Sequence, residues 1–96
     1  MIEIRYTENF VSWLQNLRDS KGKAKILVRI DRLHLGLFGD SKAIGNKVSE
    51  LRIDFGPGYR IYYTKKGKEI VILLGGGDKS SQSKDIAKSW DLVTHL

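Results

Sequence analysis

The chain opens on alternation: Ile2, Ile4 and Tyr6 are separated by Glu3 and Arg5, the two-residue period of a strand with one covered face. Helical spacing follows. Thr7 has the side chain of an N-cap, Glu8 suits the positive end of a helix, and Phe10, Leu14 and Leu17 recur on one side with Trp13 beside them. This first helix is expected to end near Asp19-Ser20. A second, from about Lys23 to Leu35, is expected from Ile26, Ile30, Leu33 and Leu37, which fall at steps of four, three and four. Gly36, Gly39, Asp40 and Gly45 then interrupt the period and read as a loop.

Alternation returns over Val48 to Phe55, where Leu51, Ile53 and Phe55 point one way and Glu50, Arg52 and Asp54 the other. Gly56-Pro57-Gly58 has the proline and glycine of a type II turn. The next strand, Tyr59 to Lys65, sets Tyr59, Ile61 and Tyr63 against Arg60, Tyr62 and Thr64. After Lys66-Gly67-Lys68, the unbroken apolar run to Leu74 suits a strand covered on both faces. Beyond Gly75-Gly76-Gly77, Ser80 or Ser81 can cap a last helix striped by Ile86, Trp90 and Val93. The order β-α-α-β-β-β-α is that of an α+β fold, with two N-terminal helices on one face of a small, mostly antiparallel sheet and a C-terminal helix. The other sheet face is expected to be left for function.

At 96 residues this is one domain, 1–96, without room for a second. No cysteine is present, which excludes a disulfide framework, a thiolate metal site and a cysteine nucleophile. Two histidines, His34 near an apolar helix side and His95 beside the C-terminus, make no metal signature, so neither metal nor cofactor is expected. The longest apolar run is too short to span a membrane, and a cytoplasmic protein is expected. Seventeen Lys+Arg against eleven Asp+Glu leave +6, a balance that favours an anionic partner without selecting one.

The candidate chemistry lies on the alternating strands. Glu50, Arg52, Arg60 and Tyr62 share a face, and cross-strand neighbours about 5 Å apart would let Arg52 and Arg60 straddle one phosphate, with Lys79 closing the end. The plainer reading is a solvated face on which Glu50 and Asp54 neutralise the arginines. Gly75 to Ser81 does not match a nucleotide-binding phosphate loop; it reads either as a capped connector or as a place where Lys79 meets a nucleic-acid backbone. Lys21, Lys25, Arg29 and Arg32 line one side of the second helix, as a solvated face or as phosphate contacts.

Glu50-Leu51-Arg52-Ile53, Gly56-Pro57-Gly58-Tyr59-Arg60-Ile61-Tyr62-Tyr63 and Leu74-Gly75-Gly76-Gly77-Asp78-Lys79-Ser80-Ser81-Gln82 resemble the RelE/HigB group of toxins, nearest the addiction module killer protein subgroup. The resemblance implies a RelE-like fold and the toxin of a type II toxin–antitoxin pair. It implies an endoribonuclease that cuts mRNA on the ribosome without a metal, by 2′-OH attack that leaves a 2′,3′-cyclic phosphate and a 5′-OH. Catalytic roles then fall to Arg60, Lys79, Arg52 and Glu50. Substrate binding falls to Tyr62, Lys47 and the Lys21, Lys25, Arg29, Arg32 stripe. The implied partners are mRNA, the ribosome and a cognate antitoxin of the helix-turn-helix, HigA-like kind. The tyrosine or histidine that such toxins carry near the last helix has no counterpart in Ser80 to Asp85. Two other readings stay open: a ParE-like toxin that blocks DNA gyrase by binding, and a homologue that keeps only its antitoxin-binding surface.

Overall fold

A computed structural model describes residues 1–96. Its elements are β1 (Glu3–Tyr6), α1 (Glu8–Asn16), α2 (Ser20–His34), β2 (Ser41–Gly45), β3 (Val48–Ile53), β4 (Tyr59–Lys66), β5 (Ile70–Gly77), a 3-10 turn (Lys79–Ser81) and α3 (Gln82–Val93). The sheet runs β1-β5-β4-β3-β2, with β1 parallel to β5 and every other pair antiparallel. The α+β class and the order of the expected elements hold, with one strand added. No helix is long and apolar enough to cross a membrane.

Local chemistry sets the helix starts. Thr7 accepts a hydrogen bond from the Phe10 amide at 3.2 Å and gives its own hydroxyl proton to the Leu73 carbonyl at 2.8 Å, so the cap also fastens α1 to β5. The first helix stops earlier than its spacing suggested, because Leu17 turns extended (φ −73°, ψ 120°). Asp19 instead caps α2, accepting from the Gly22 amide at 3.0 Å and from the Tyr59 hydroxyl at 2.7 Å. The added strand, β2, replaces the expected loop. It pairs with β3 through a two-residue hairpin in which Asn46 and Lys47 both take positive φ (52° and 65°). Ser41–Gly45 lacks alternation, so pairing with β3 rather than its own pattern makes it a strand.

The two sheet faces are covered differently. Under α1 and α2 lies the larger core, in which Phe10, Ile26, Leu33, Leu51, Ile61 and Leu73 are wholly buried. Each such side chain contributes roughly 1.5–3 kcal/mol by leaving water. The opposite face, expected to be free, is largely covered by α3. There Ile86, Trp90 and Val93 pack on Val48, Tyr62, Ile72 and Leu74. An amphipathic helix must bury its stripe somewhere, and this was the apolar surface left. Only the end of that face carrying Arg52 and Arg60 stays open.

Candidate active-site cleft

The open end is built by the β3–β4 hairpin. Its register sets Arg52 directly opposite Arg60, and Glu50 opposite Tyr62. On the other side of β4, Arg60 faces Gly77, from which the chain turns at once into Lys79. Asp78 caps that turn by accepting from the Ser80 amide at 2.8 Å. Gly58, at φ +81°, is required by the turn, which needs positive φ, and the Lys79 stem runs across it, so that an added Cβ would lie 2.7 Å from Cε of Lys79 and push that stem aside. The result is a cleft of about 290 Å³ into which Arg52, Arg60 and Lys79 converge, with the carboxylates of Asp40 and Asp54 in the same wall. Three cations against two anions leave one positive charge in excess.

Each cation is held differently. Arg52 is partly exposed and sends Nη2 and Nε to Oδ1 of Asp40, at 2.8 and 3.1 Å. Arg60 is deeper. Its Nε lies 3.1 Å from Oε2 of Glu50, close enough for strong charge attraction but not aligned as a hydrogen bond. The Glu50 carboxylate, only 6% exposed, is further approached by Nε2 of Gln82 at 3.4 and 3.5 Å. Nε is the only buried nitrogen of Arg60 without a hydrogen-bond partner, so the two Nη nitrogens stay at the cleft. Lys79 is exposed and makes no ion pair. The cleft can therefore bind an oxyanion by two guanidinium groups from neighbouring strands and one exposed ammonium.

A family model for the phage-derived Gp49-like proteins matches residues 12–92. The chain belongs to the Gp49-like family. An uncharacterised protein of Haemophilus influenzae is 50% identical over 95 residues, spanning 99% of this chain and 96% of its own. A free-state mutant of the Escherichia coli toxin RelE shares the fold, with a TM-score of 0.77 over 96% of this chain and 97% of its own, at 14% identity.

The remaining expected site residues are dispersed. Glu50 and Tyr62 do not lie on an exposed face: Glu50 is 4% exposed and Tyr62 wholly buried, because α3 covers this stretch. Burial, then the nearby Glu50 carboxylate, raises the pKa of the Tyr62 hydroxyl well above its ordinary value, and that hydroxyl has no protein partner. Tyr62 is therefore a core residue, out of reach of a stacking base, and Glu50 is turned to Arg60. Lys47 sits in the β2–β3 turn, five residues from Arg52 along one strand, roughly 16 Å at the usual rise. Arg29 is committed to structure. Its Nη1 donates to the Arg52 carbonyl at 2.6 Å and its Nη2 to the Phe38 carbonyl at 3.1 Å, and burial disfavours its charge. Lys21, Lys25 and Arg32 line a separate groove beside α2. Asp40 was missed as part of the site because it enters only through the pairing of β2 with β3; its backbone carbonyl accepts from the Arg52 amide at 2.8 Å.

Proposed function

We propose that this Gp49-like chain is the toxin of a type II toxin–antitoxin pair, of the RelE/HigB kind, and that its cleft cuts mRNA on the ribosome. The observation that carries this reading is the convergence of Arg52, Arg60 and Lys79 in one cleft of a fold shared with the toxin RelE. In the reaction, the ribose 2′-oxygen attacks the adjacent phosphorus as the 5′-oxygen leaves, giving a 2′,3′-cyclic phosphate and a 5′-OH. Arg52 and Arg60 bind the phosphoryl oxygens, on which charge accumulates in the transition state. Lys79 reaches the leaving oxygen and donates the proton it needs. Of the two cleft carboxylates, Asp40 is occupied by Arg52, whereas Asp54 makes no ion pair and takes the 2′-OH proton. A cognate antitoxin of the helix-turn-helix, HigA-like kind restrains the activity.

The experiment is brief induction of the chain in growing bacteria, with the 5′ ends of cellular mRNA mapped afterwards. New ends inside translated regions, carrying 5′-OH, are expected. Arg60→Ala should lower cutting by about 10²–10³-fold, the usual loss for one transition-state donor. Lys79→Ala, an exposed change that leaves the fold intact, should lower it as well. Intact transcripts with folded wild-type protein present would end the ribonuclease reading.

A further inference from the structure

A second polar recess lies across β5 from the β3–β4 hairpin. Strand β1 pairs with β5 only as far as Tyr6 opposite Leu73, whereas β5 runs on to Gly77, so its last residues have no neighbouring strand on that side. Helices α1 and α3 close in from the two faces and leave a pocket of about 260 Å³ over Gly75 and Gly76. The glycines permit this approach: a Cβ on Gly75 would lie 2.6 Å from Nδ2 of Asn9, and one on Gly76 would run into the Trp13 ring. Lys84 and Lys88 stand at i and i+4 on α3 along one wall, and neither belongs to an ion pair. Asp85 is the one carboxylate lining the pocket, so positive charge is in excess. None of these residues lines the cleft of Arg52 and Arg60.

Hydrogen-bonding capacity is left over in this pocket. Asn9 donates Nδ2 to the Leu74 carbonyl at 2.9 Å, and Asp85 accepts from Ser81 through Oδ2 at 2.6 Å, which leaves Oδ1 of each as an acceptor. At the inner end Ser89 is 1% exposed and its hydroxyl has no hydrogen-bond partner; it lies 4.0 Å from the point that a Cβ on Gly75 would take. A buried hydroxyl without an acceptor is a cost that a bound oxygen would remove. Two unpaired ammoniums suit a phosphate monoester, which near neutral pH carries about −1.5 to −2 charge and three acceptor oxygens. The Asp85 and Asn9 oxygens suit hydroxyl groups, and the Trp13 ring suits the C–H side of a sugar. Sites for drug-sized molecules hold roughly 300–1,000 Å³, so the occupant is smaller than these and is not a folded partner. We infer that the pocket between α1 and α3 binds a small phosphate monoester on a hydroxylated carbon skeleton, with Lys84 and Lys88 on the phosphate and Asp85 and Asn9 on the hydroxyls. The inference does not rest on what the cleft does to RNA.

The test titrates the full-length isotope-labelled chain with ribose 5-phosphate and, separately, with ribose, inorganic phosphate and adenosine 5′-monophosphate. Amide shifts are expected at Asn9 to Trp13, at Gly75 and Gly76, and at Lys84 to Ser89. Ribose 5-phosphate should bind about tenfold or more tightly than ribose or inorganic phosphate, because only it meets both the ammoniums and the hydroxyl acceptors. The double change Lys84→Gln/Lys88→Gln, at two exposed positions, should weaken that binding about tenfold or more with the melting temperature unchanged. Adenosine 5′-monophosphate separates the sources of the phosphate: tighter binding than ribose 5-phosphate assigns the pocket to nucleotides, and weaker binding assigns it to free sugar phosphates. Absence of shifts in the pocket, shifts confined to the Arg52 and Arg60 cleft, equal binding of ribose or of inorganic phosphate, or full affinity in the double lysine variant would each overturn the inference. Cleavage of RNA is read in a separate assay, so failure here and failure of the proposed function are told apart.

Discussion

The two faces of the sheet solve the same burial problem by different means. Beneath α1 and α2 the interior is almost wholly hydrocarbon, with Phe10, Ile26, Leu33, Leu51, Ile61 and Leu73 closing on one another. Beneath α3 the apolar cluster is smaller, and Arg60 Nε, the Tyr62 hydroxyl, Ser89 Oγ and Trp90 Nε1 are all buried there without a hydrogen-bond partner. A buried polar atom lacking its partner forfeits stability. The face that carries the cleft is thus the less tightly determined one. The larger core lies on one side of the sheet and the polar cleft on the other, a division common where a polar site must be kept open at the edge of a core.

Truncation should expose the contrast most strongly. Phe10→Ala, in the larger core, is expected to cost about 3–5 kcal/mol, whereas Ile86→Ala, half-buried on the sheet side of α3, should cost less than half of that. Equal losses in urea unfolding would erase the distinction between faces. Next in size is the Glu50–Arg60 pair. Arg60→Leu leaves a buried carboxylate alone and should cost about 3 kcal/mol, while the double change Glu50→Leu/Arg60→Leu should recover most of it. A double variant as unstable as the single one would mean that the pair contributes beyond mutual neutralisation.

A smaller effect is expected at Tyr59. Removing its hydroxyl in Tyr59→Phe should cost about 1 kcal/mol near neutral pH. Burial, then the Asp19 hydrogen bond, pushes the Tyr59 pKa up to about 12, so its contribution is full below the ordinary value near 10 and fades as pH climbs from there toward 12. The Gly22 amide first, and then the same hydroxyl, hold the Asp19 carboxyl below its ordinary value of 3.8, so that contribution disappears as pH falls beneath this value. The stability gap between wild type and Tyr59→Phe should therefore narrow at both extremes of pH, and a gap that stays constant from acid to alkali would contradict this. The smallest change is expected from Tyr62→Phe. Deleting an unpartnered hydroxyl should leave the melting temperature unchanged or slightly raised, whereas a clear fall would reveal a partner for that oxygen.

Where pairing is local, the chain states its own fold. Leu51 and Ile53, a Gly-Pro-Gly turn, and Ile61 and Tyr63 define a hairpin whose alternation places Arg52 opposite Arg60, and the structure has that pairing. What escaped the reading depends on distant partners. Glu50 and Tyr62 occupy polar-looking positions of the alternation, yet they are buried because α3, which begins 20 residues beyond Tyr62 and 32 beyond Glu50, settles over them. Ser41–Gly45 has no strand pattern and is a strand because β3 offers it an edge; the sole local hint is Asn46, a residue that tolerates positive φ in a tight hairpin. Arg29 looked like one member of a solvated stripe, and nothing near it in sequence announces the carbonyls of Phe38 and Arg52 that claim its guanidinium.

Because the Lys79 stem lies across Gly58, any side chain at that turn position would have to displace the stem that carries the ammonium at the cleft. Under the function proposed above, a genetic screen for harmless alleles should therefore recover substitutions at position 58 alongside those at 60 and 79. Such alleles would pass for lesions in an active-site residue although a hydrogen atom is all that Gly58 carries there.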